Sequence, residues 1–61
     1  MKNMNNEELF EAILMVDQEL DEAITTGNEE EEKKLQQEQH ELMTEMFKRG
    51  LEVEFEAYAA E

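Results

Sequence analysis

Apolar residues in the first half of the chain recur every three or four positions. The stripe consists of Leu9, Ile13, Val16, Leu20 and Ala23, and Phe10, Leu14 and Ile24 widen it on one side. This spacing places side chains on one face of an α-helix and leaves the other faces to polar residues. We therefore predict an amphipathic first helix over about residues 6–26.

The residues around this stripe carry signals for helix ends. Asn5 is a good N-cap, and Glu8 falls at the position that completes a capping box. Gly27 can adopt the left-handed conformation in which many helices end. Asn28 is a second N-cap. The glutamates that follow it at 29–32 interact favourably with the positive end of the dipole of a new helix. The glutamate run thus has a structural explanation as a helix start.

The second half of the chain carries two neighbouring apolar lines. Leu35, Leu42, Met46 and Val53 form one line, and Met43, Phe47, Leu51, Phe55 and Tyr58 form the other. Both lines fit a long second helix over about residues 29–59. A connection as short as Gly27-Asn28 forces the two helices to lie antiparallel. The predicted fold class is all-α, with residues 1–61 forming a single small domain built as an antiparallel helical hairpin.

The region around Gly50 allows more than one structure. Lys48 and Arg49 before a glycine are typical of a helix end, and residues 51–57 alternate between apolar and acidic side chains as a half-buried strand would. We favour a helix that continues past Gly50, or is kinked or broken there, because a lone strand needs another chain to pair with. The strand alternative implies that this segment adds a strand to a partner's sheet.

The first helix is too short to cover the whole of the second. At 1.5 Å per residue it is about 30 Å long and reaches only to around Arg49. We expect a second copy of the chain to cover the remaining apolar residues in a four-helix dimer, or else a partner protein to bind them. The residues concerned are Phe47, Leu51, Val53, Phe55 and Tyr58.

The length and composition of the chain also favour self-association. A chain of 61 residues has a marginal hydrophobic core, and this one holds no cysteine for disulfides or thiolate zinc sites. A homodimer is the expected aid to stability. No run approaches the ~20 apolar residues of a membrane span, and residues 1–6 lack the apolar core of a secretory signal. We expect a cytoplasmic protein.

Net charge is the outstanding feature of the composition. Eighteen acidic and five basic residues give a formal charge of −13, beyond the magnitude of about 2 to 8 that keeps a small domain soluble. The electrostatic field of such a negative charge repels nucleic acid and anionic lipid, and it speeds encounter with basic surfaces. The expected partner is another protein with a basic surface, and we expect direct binding to neither nucleic acid nor membranes. Solubility alone is the simpler explanation of the charge.

The chain lacks the residues of most catalytic sites. With no serine, no cysteine and a single histidine, His40, it cannot build a Ser-His-Asp or Cys-His arrangement. Di-iron helical bundles use Glu-x-x-His motifs, but Gln37 occupies the glutamate position before His40. We expect no enzymatic activity, no bound metal and no cofactor.

One short string resembles a known motif. The Gln-Glu-Leu-Asp string at residues 18–21, with Ile24 after it, is similar to the Ser-Gln-Glu-Leu-Asp signature of the small helical-hairpin phosphatases that dephosphorylate sporulation response regulators. Asp17 stands in place of the serine, and the string lies on the first helix rather than on the second. The resemblance implies a phosphatase with Glu19 and Asp21 at its site, which is the hypothesis we favour least.

Charge and the apolar tail suggest two hypotheses of function. In the first, an acidic protein antagonises a partner by occupying its basic face, with glutamates that mimic nucleic-acid phosphates. In the second, a helical adaptor or assembly subunit docks through the apolar segment 51–58. The salt dependence of partner binding distinguishes the two hypotheses, because only electrostatic binding weakens steeply as the salt concentration rises. The acids predicted to contact the partner occupy helix positions expected to be exposed: Glu19, Glu22, Glu29, Glu30, Glu31, Glu32, Glu38, Glu41 and Glu45.

Overall fold

The computed structural model describes residues 4–60, which form three α-helices. They are α1, Asn6–Thr26; α2, Glu29–Lys48; and α3, Glu52–Ala59. No strand occurs within residues 4–60, so the all-α class is confirmed for the described part of the chain. None of these helices combines the length and the apolar character needed to cross a membrane. Residues 1–3, the start of the stretch considered above for a secretory signal, lie outside the described range.

α1 begins and ends where the sequence predicts. The Glu8 amide donates to the Asn5 side chain at 2.8 Å, and the Asn5 amide donates to the Glu8 carboxylate at 3.0 Å. This reciprocal capping box satisfies amides that the helix start leaves without partners. At the other end Gly27 has a φ of 74°, and the Asn28 amide donates to the Ala23 carbonyl at 2.9 Å. That hydrogen bond is the one that defines a Schellman motif at a helix end.

Asn28 starts the next helix directly after this turn. Its side chain accepts a hydrogen bond from the Glu31 amide at 3.2 Å, as expected for an N-cap. Because only Gly27 and Asn28 separate them, α1 and α2 must fold back on each other, and the two helices pack together. This packing agrees with the predicted helical hairpin.

The core lies between the facing stripes of α1 and α2. Its buried side chains are Leu9, Phe10, Ile13, Val16, Ala23, Leu35, Leu42, Met46 and Leu51. Met4, Ala12, Leu20, Met43, Phe55 and Tyr58 pack around them partly buried. The predicted stripe of α1 is therefore the face that it buries. Two residues that widen the stripe are less covered, since Leu14 is 36% exposed and Ile24 is 54% exposed.

The second predicted helix is broken at Gly50. α2 ends at Lys48, Gly50 has a φ of 68°, and the Leu51 amide donates to the Met46 carbonyl at 3.1 Å. The same Schellman geometry as at Gly27 closes α2. A broken helix was one of the predicted outcomes. The continuous helix and the strand over residues 51–57 are both wrong, because the chain becomes helical again at α3.

α3 packs against the first turns of α1. The Phe10 ring centroid lies 5.5 Å from that of Phe55 and 5.4 Å from that of Tyr58. Leu51 is only 8% exposed and belongs to the core. The prediction that α1 cannot cover the apolar residues after Gly50 is therefore wrong for Leu51, Phe55 and Tyr58, whereas Val53 does remain exposed. It assumed that the chain continues along the axis of α2, whereas the turn redirects it towards α1.

Candidate functional site

The acids predicted to contact a partner lie on the surfaces of α1 and α2. Two of them depart from the prediction, because Glu32 and Glu45 are partly buried. The Glu32 carboxylate accepts a hydrogen bond from the Gln36 side chain at 3.5 Å. The exposed members of the set are Glu19, Glu22, Glu29, Glu30, Glu31, Glu38 and Glu41.

Glu45 differs from the other acids because it forms an ion pair. Arg49 Nε donates to Glu45 Oε2 at 2.9 Å, one helical turn away. This hydrogen bond, together with the positive charge of Arg49, lowers the pKa of Glu45, and partial burial opposes it with a smaller effect. Arg49 also donates to the Asn6 side chain at 3.0 Å and so links the end of α2 to the start of α1. Glu45 therefore offers a partner less uncompensated charge than the exposed glutamates do.

A shallow groove runs between α1 and α2 on one side of the hairpin. Near the turn its lining includes Glu19, Glu22, Ala23, Glu31 and Leu35. Farther from the turn its lining includes Ala12, Val16, Glu38, Glu41 and Leu42. We call this surface the acidic groove: its rim consists of the five glutamates, and its floor consists of the two alanines, the valine and the two leucines. No lysine or arginine of residues 4–60 lines it.

The two parts of the acidic groove follow each other along the same side of the hairpin. On α1 the lining advances through positions 12, 16, 19 and 23, and on α2 through 31, 35, 38 and 42. Steps of three or four residues keep side chains on one side of a helix. In an antiparallel pair, residues 12–16 lie opposite 38–42, and residues 19–23 lie opposite 31–35. Together the two parts span about 17 Å of α1, at 1.5 Å per residue.

The other side of the hairpin has a different character. Asp17 lies about 140° around α1 from Ala12, at 100° per residue, and the Gln39 side chain donates to its carboxylate and bridges the helices there. A depression on this side of α1 is lined by Asp17, Leu14, Leu20 and Ile24, among others. The molecule thus has one acidic and grooved side and another that exposes apolar side chains.

The predicted apolar contact residues divide into two groups. Leu51 is buried, and Phe55 and Tyr58 are partly buried against α1, so these three belong to the chain's own core or its margin. Phe47 and Val53 remain 56% and 76% exposed. The segment 51–58 therefore presents only one strongly exposed large apolar side chain, that of Val53.

Tyr58 also makes a polar contact with α1. Its hydroxyl donates to the Glu11 carboxylate at 3.4 Å. Partial burial raises the pKa of Tyr58, and the negative charges of Glu11 and Glu7 raise it further. α3 is thus attached to α1 by an aromatic cluster and one hydrogen bond.

The residues named by other hypotheses do not converge on a site. Glu19 lines the acidic groove, whereas Asp21 lines the depression on the other side of α1, so the pair nominated by the phosphatase resemblance is divided. His40 is exposed on α2. Within residues 4–60, no three His, Asp or Glu side chains gather closely enough to hold a metal ion.

Comparisons of the chain with protein-family models, with curated proteins and with solved structures found no match. Sequence reasoning placed four of the five floor residues on apolar stripes and the rim glutamates at exposed positions, but it did not bring them together around one groove. The signal was an asymmetry of α1: the small residue Ala12 flanks the buried stripe on one side, whereas the larger residues Phe10, Leu14 and Ile24 flank it on the other.

Proposed function

We propose that this protein is a non-enzymatic, acidic binding protein that antagonises a partner protein by occupying its basic surface. One observation carries the proposal: five exposed glutamates rim the acidic groove, and no described lysine or arginine belongs to its lining. Glu29 and Glu30, also exposed, continue the acidic surface around the first turn of α2.

A basic nucleic-acid-binding face is the partner surface that this arrangement suits best. Glu19 and Glu22 on α1, and Glu38 and Glu41 on α2, are each three residues apart, a spacing that places side chains about 5–6 Å from one another on a helix. Each helix therefore presents a close pair of anionic groups, as neighbouring backbone phosphates do. Proteins that bind nucleic acid often neutralise about 6 to 10 phosphates with lysine and arginine. The acidic protein would occupy those basic residues and exclude the nucleic acid from them.

The adaptor alternative has less support because its docking segment is used within the chain. Leu51, Phe55 and Tyr58 contact the chain's own core, which leaves Val53 as the exposed apolar residue of α3. Its remaining support is the exposure of Phe47, at 56%, just before the break in the helix.

We also propose that the chain forms a homodimer through the side that carries Leu14 and Ile24. These two side chains are 36% and 54% exposed and line one depression with Leu20. A standard interface buries about 800 Å² per partner, which is about a sixth of the 4637 Å² surface of the chain. Such a dimer leaves the acidic groove open on both copies.

The function is tested by capture of partners on the immobilised protein at low salt, followed by a salt gradient and identification of the eluted proteins. We expect the captured proteins to be ones that bind nucleic acid, and we expect them to elute at moderate salt because the binding is electrostatic. Added duplex DNA should also displace them, because DNA competes for the same basic face. Replacement of all four glutamates at 29–32 by glutamine should reduce capture about tenfold or more.

A Val53→Ala variant serves as the control, since Val53 is exposed and uncharged. It should capture the same proteins as the unaltered chain. A partner that resists high salt, is not displaced by DNA and is lost with Val53→Ala would contradict the antagonist proposal and favour the adaptor.

A further inference from the structure

We propose that the acidic groove binds one amphipathic helix of the partner, with basic residues along both of its edges and apolar residues on the face between them. This inference rests on the proposed function and specifies the chemistry of the partner. It is carried by the combination of an apolar floor with two acidic edges, one on each helix of the hairpin.

The floor of the groove suits a helix because it is lined by small or well-covered side chains. Val16, Leu35 and Leu42 are between 5% and 7% exposed, so none of them protrudes into the groove. Ala12 and Ala23 lie beside them and leave room at the seam. Small residues at a contact allow helix axes to approach to about 8 Å. A third helix can therefore lie along the seam between α1 and α2, and the groove is long enough for about three turns of it.

The rim determines the charge of that helix. Glu19 and Glu22 form the edge on α1, and Glu31, Glu38 and Glu41 form the edge on α2. A helix with lysine or arginine on both flanks of an apolar stripe would meet carboxylates on each side. Long basic side chains can also lay their methylene stems over the margins of the floor while their charged ends reach the rim.

Other occupants fit the groove less well. A second copy of this chain, with a net charge of −13, would bring carboxylates against carboxylates. Nucleic acid is excluded by the same sign of charge. An extended peptide gains affinity from main-chain hydrogen bonds to the edge of a sheet, and a pair of helices has no such edge.

The test uses two synthetic peptides of identical composition, each long enough for about four helical turns. One places leucines at helical spacing between lysines and arginines, and the other scrambles that order. We expect the full-length protein to bind the ordered peptide about tenfold more tightly than the scrambled one, as measured by fluorescence anisotropy at physiological salt. The triple variant Glu19→Gln, Glu38→Gln and Glu41→Gln should lose about tenfold or more of this affinity.

The charge-matched control is the triple variant Glu52→Gln, Glu54→Gln and Glu56→Gln on α3, which should lose less than about twofold. An Ala12→Leu variant fills the floor at unchanged charge and should weaken only the ordered peptide. Circular dichroism verifies that each variant is folded. Equal binding of both peptides, or equal loss in both triple variants, would overturn the groove proposal while leaving the acidic antagonist in place. No binding of either peptide, even at low salt, would overturn both.

Discussion

Gly27 and Gly50 end the two long helices with nearly the same backbone conformation, but the residue after each glycine gives the chain a different path. Their φ angles are 74° and 68°. After the first, Asn28 caps a new helix with its side chain. After the second, Leu51 makes no side-chain cap and instead becomes buried. The path of α3 is therefore decided by burial of one leucine rather than by a local hydrogen bond.

The contact between Tyr58 and Glu11 can be tested by titration of the tyrosine. Tyr58 is the only tyrosine, so ultraviolet absorbance follows its ionisation alone. We expect its pKa to lie above 10.0, because partial burial and the charges of Glu11 and Glu7 disfavour the phenolate. Glu11→Gln should lower the pKa towards the ordinary value. Glu29→Gln, at the far end of the hairpin, should leave it unchanged.

The direction of this pKa shift also fixes a pH dependence of stability. A folded-state pKa above the unfolded value contributes stability that is fully present below about pH 10 and is lost as the pH rises through the folded value. Denaturant unfolding of Tyr58→Phe should therefore show a smaller loss of stability above that pH than the unaltered chain does. An unshifted tyrosine pKa would contradict the contact between Tyr58 and Glu11.

Among the elements, α3 depends most on tertiary contacts. It has 8 residues and contains no fully buried side chain. Isolated helices shorter than about 12–15 residues are marginal in water. Its order must therefore come from Leu51 in the core and from the contacts of Phe55 and Tyr58 with Phe10. α1 and α2, which share the core along their length, do not depend on it in the same way.

A single substitution should separate α3 from the hairpin. Phe55→Ala removes one side of the aromatic cluster, and we expect it to cost about 1–2 kcal/mol, because the ring is only partly buried. Amide hydrogen exchange should speed up in α3 before it does in α1 and α2. Val53→Ala, on the same helix but 76% exposed, is the matched control and should leave exchange unchanged. Equal effects of the two substitutions would show that α3 does not rest on α1 through Phe55.

As a whole, the molecule is thin and has two dissimilar broad sides. Its extents are 33 × 26 × 15 Å, and the smallest is little more than the diameter of one helix, about 10–12 Å. Both broad sides therefore lie close to the same thin core. They differ because different residues flank the buried stripes on each side. The acidic groove lies on one side, and the depression with Leu14 and Ile24 lies on the other.

Self-association should therefore respond to salt in the opposite sense to partner binding. Two chains of charge −13 repel each other, and salt screens that repulsion, so we expect sedimentation equilibrium to show a dimer that strengthens as salt rises. Ile24→Gln should weaken it, whereas Met15→Gln, equally exposed on α1 but outside the depression, should not. A monomer at every salt concentration would contradict the homodimer.

Local chemistry in the sequence determined the helix ends and the stripe of α1. Asn5, Glu8, Gly27 and Asn28 act through hydrogen bonds and backbone preferences within a few residues of themselves. Helical spacing also identified seven of the nine nominated glutamates correctly as exposed. These features depend on near neighbours in the chain, and so the pattern alone is sufficient to predict them.

Only the tertiary structure decided what happens after Gly50 and how the carboxylates are grouped. The packing of α3 on Phe10 joins residues more than forty positions apart, and no local pattern encodes the angle at which the chain leaves a left-handed glycine. The acidic groove likewise exists only because two antiparallel helices place small residues at one seam and acids along both edges. The sequence determined which residues lie on each helix face, and the packing of one helix against another determined which of those faces meet.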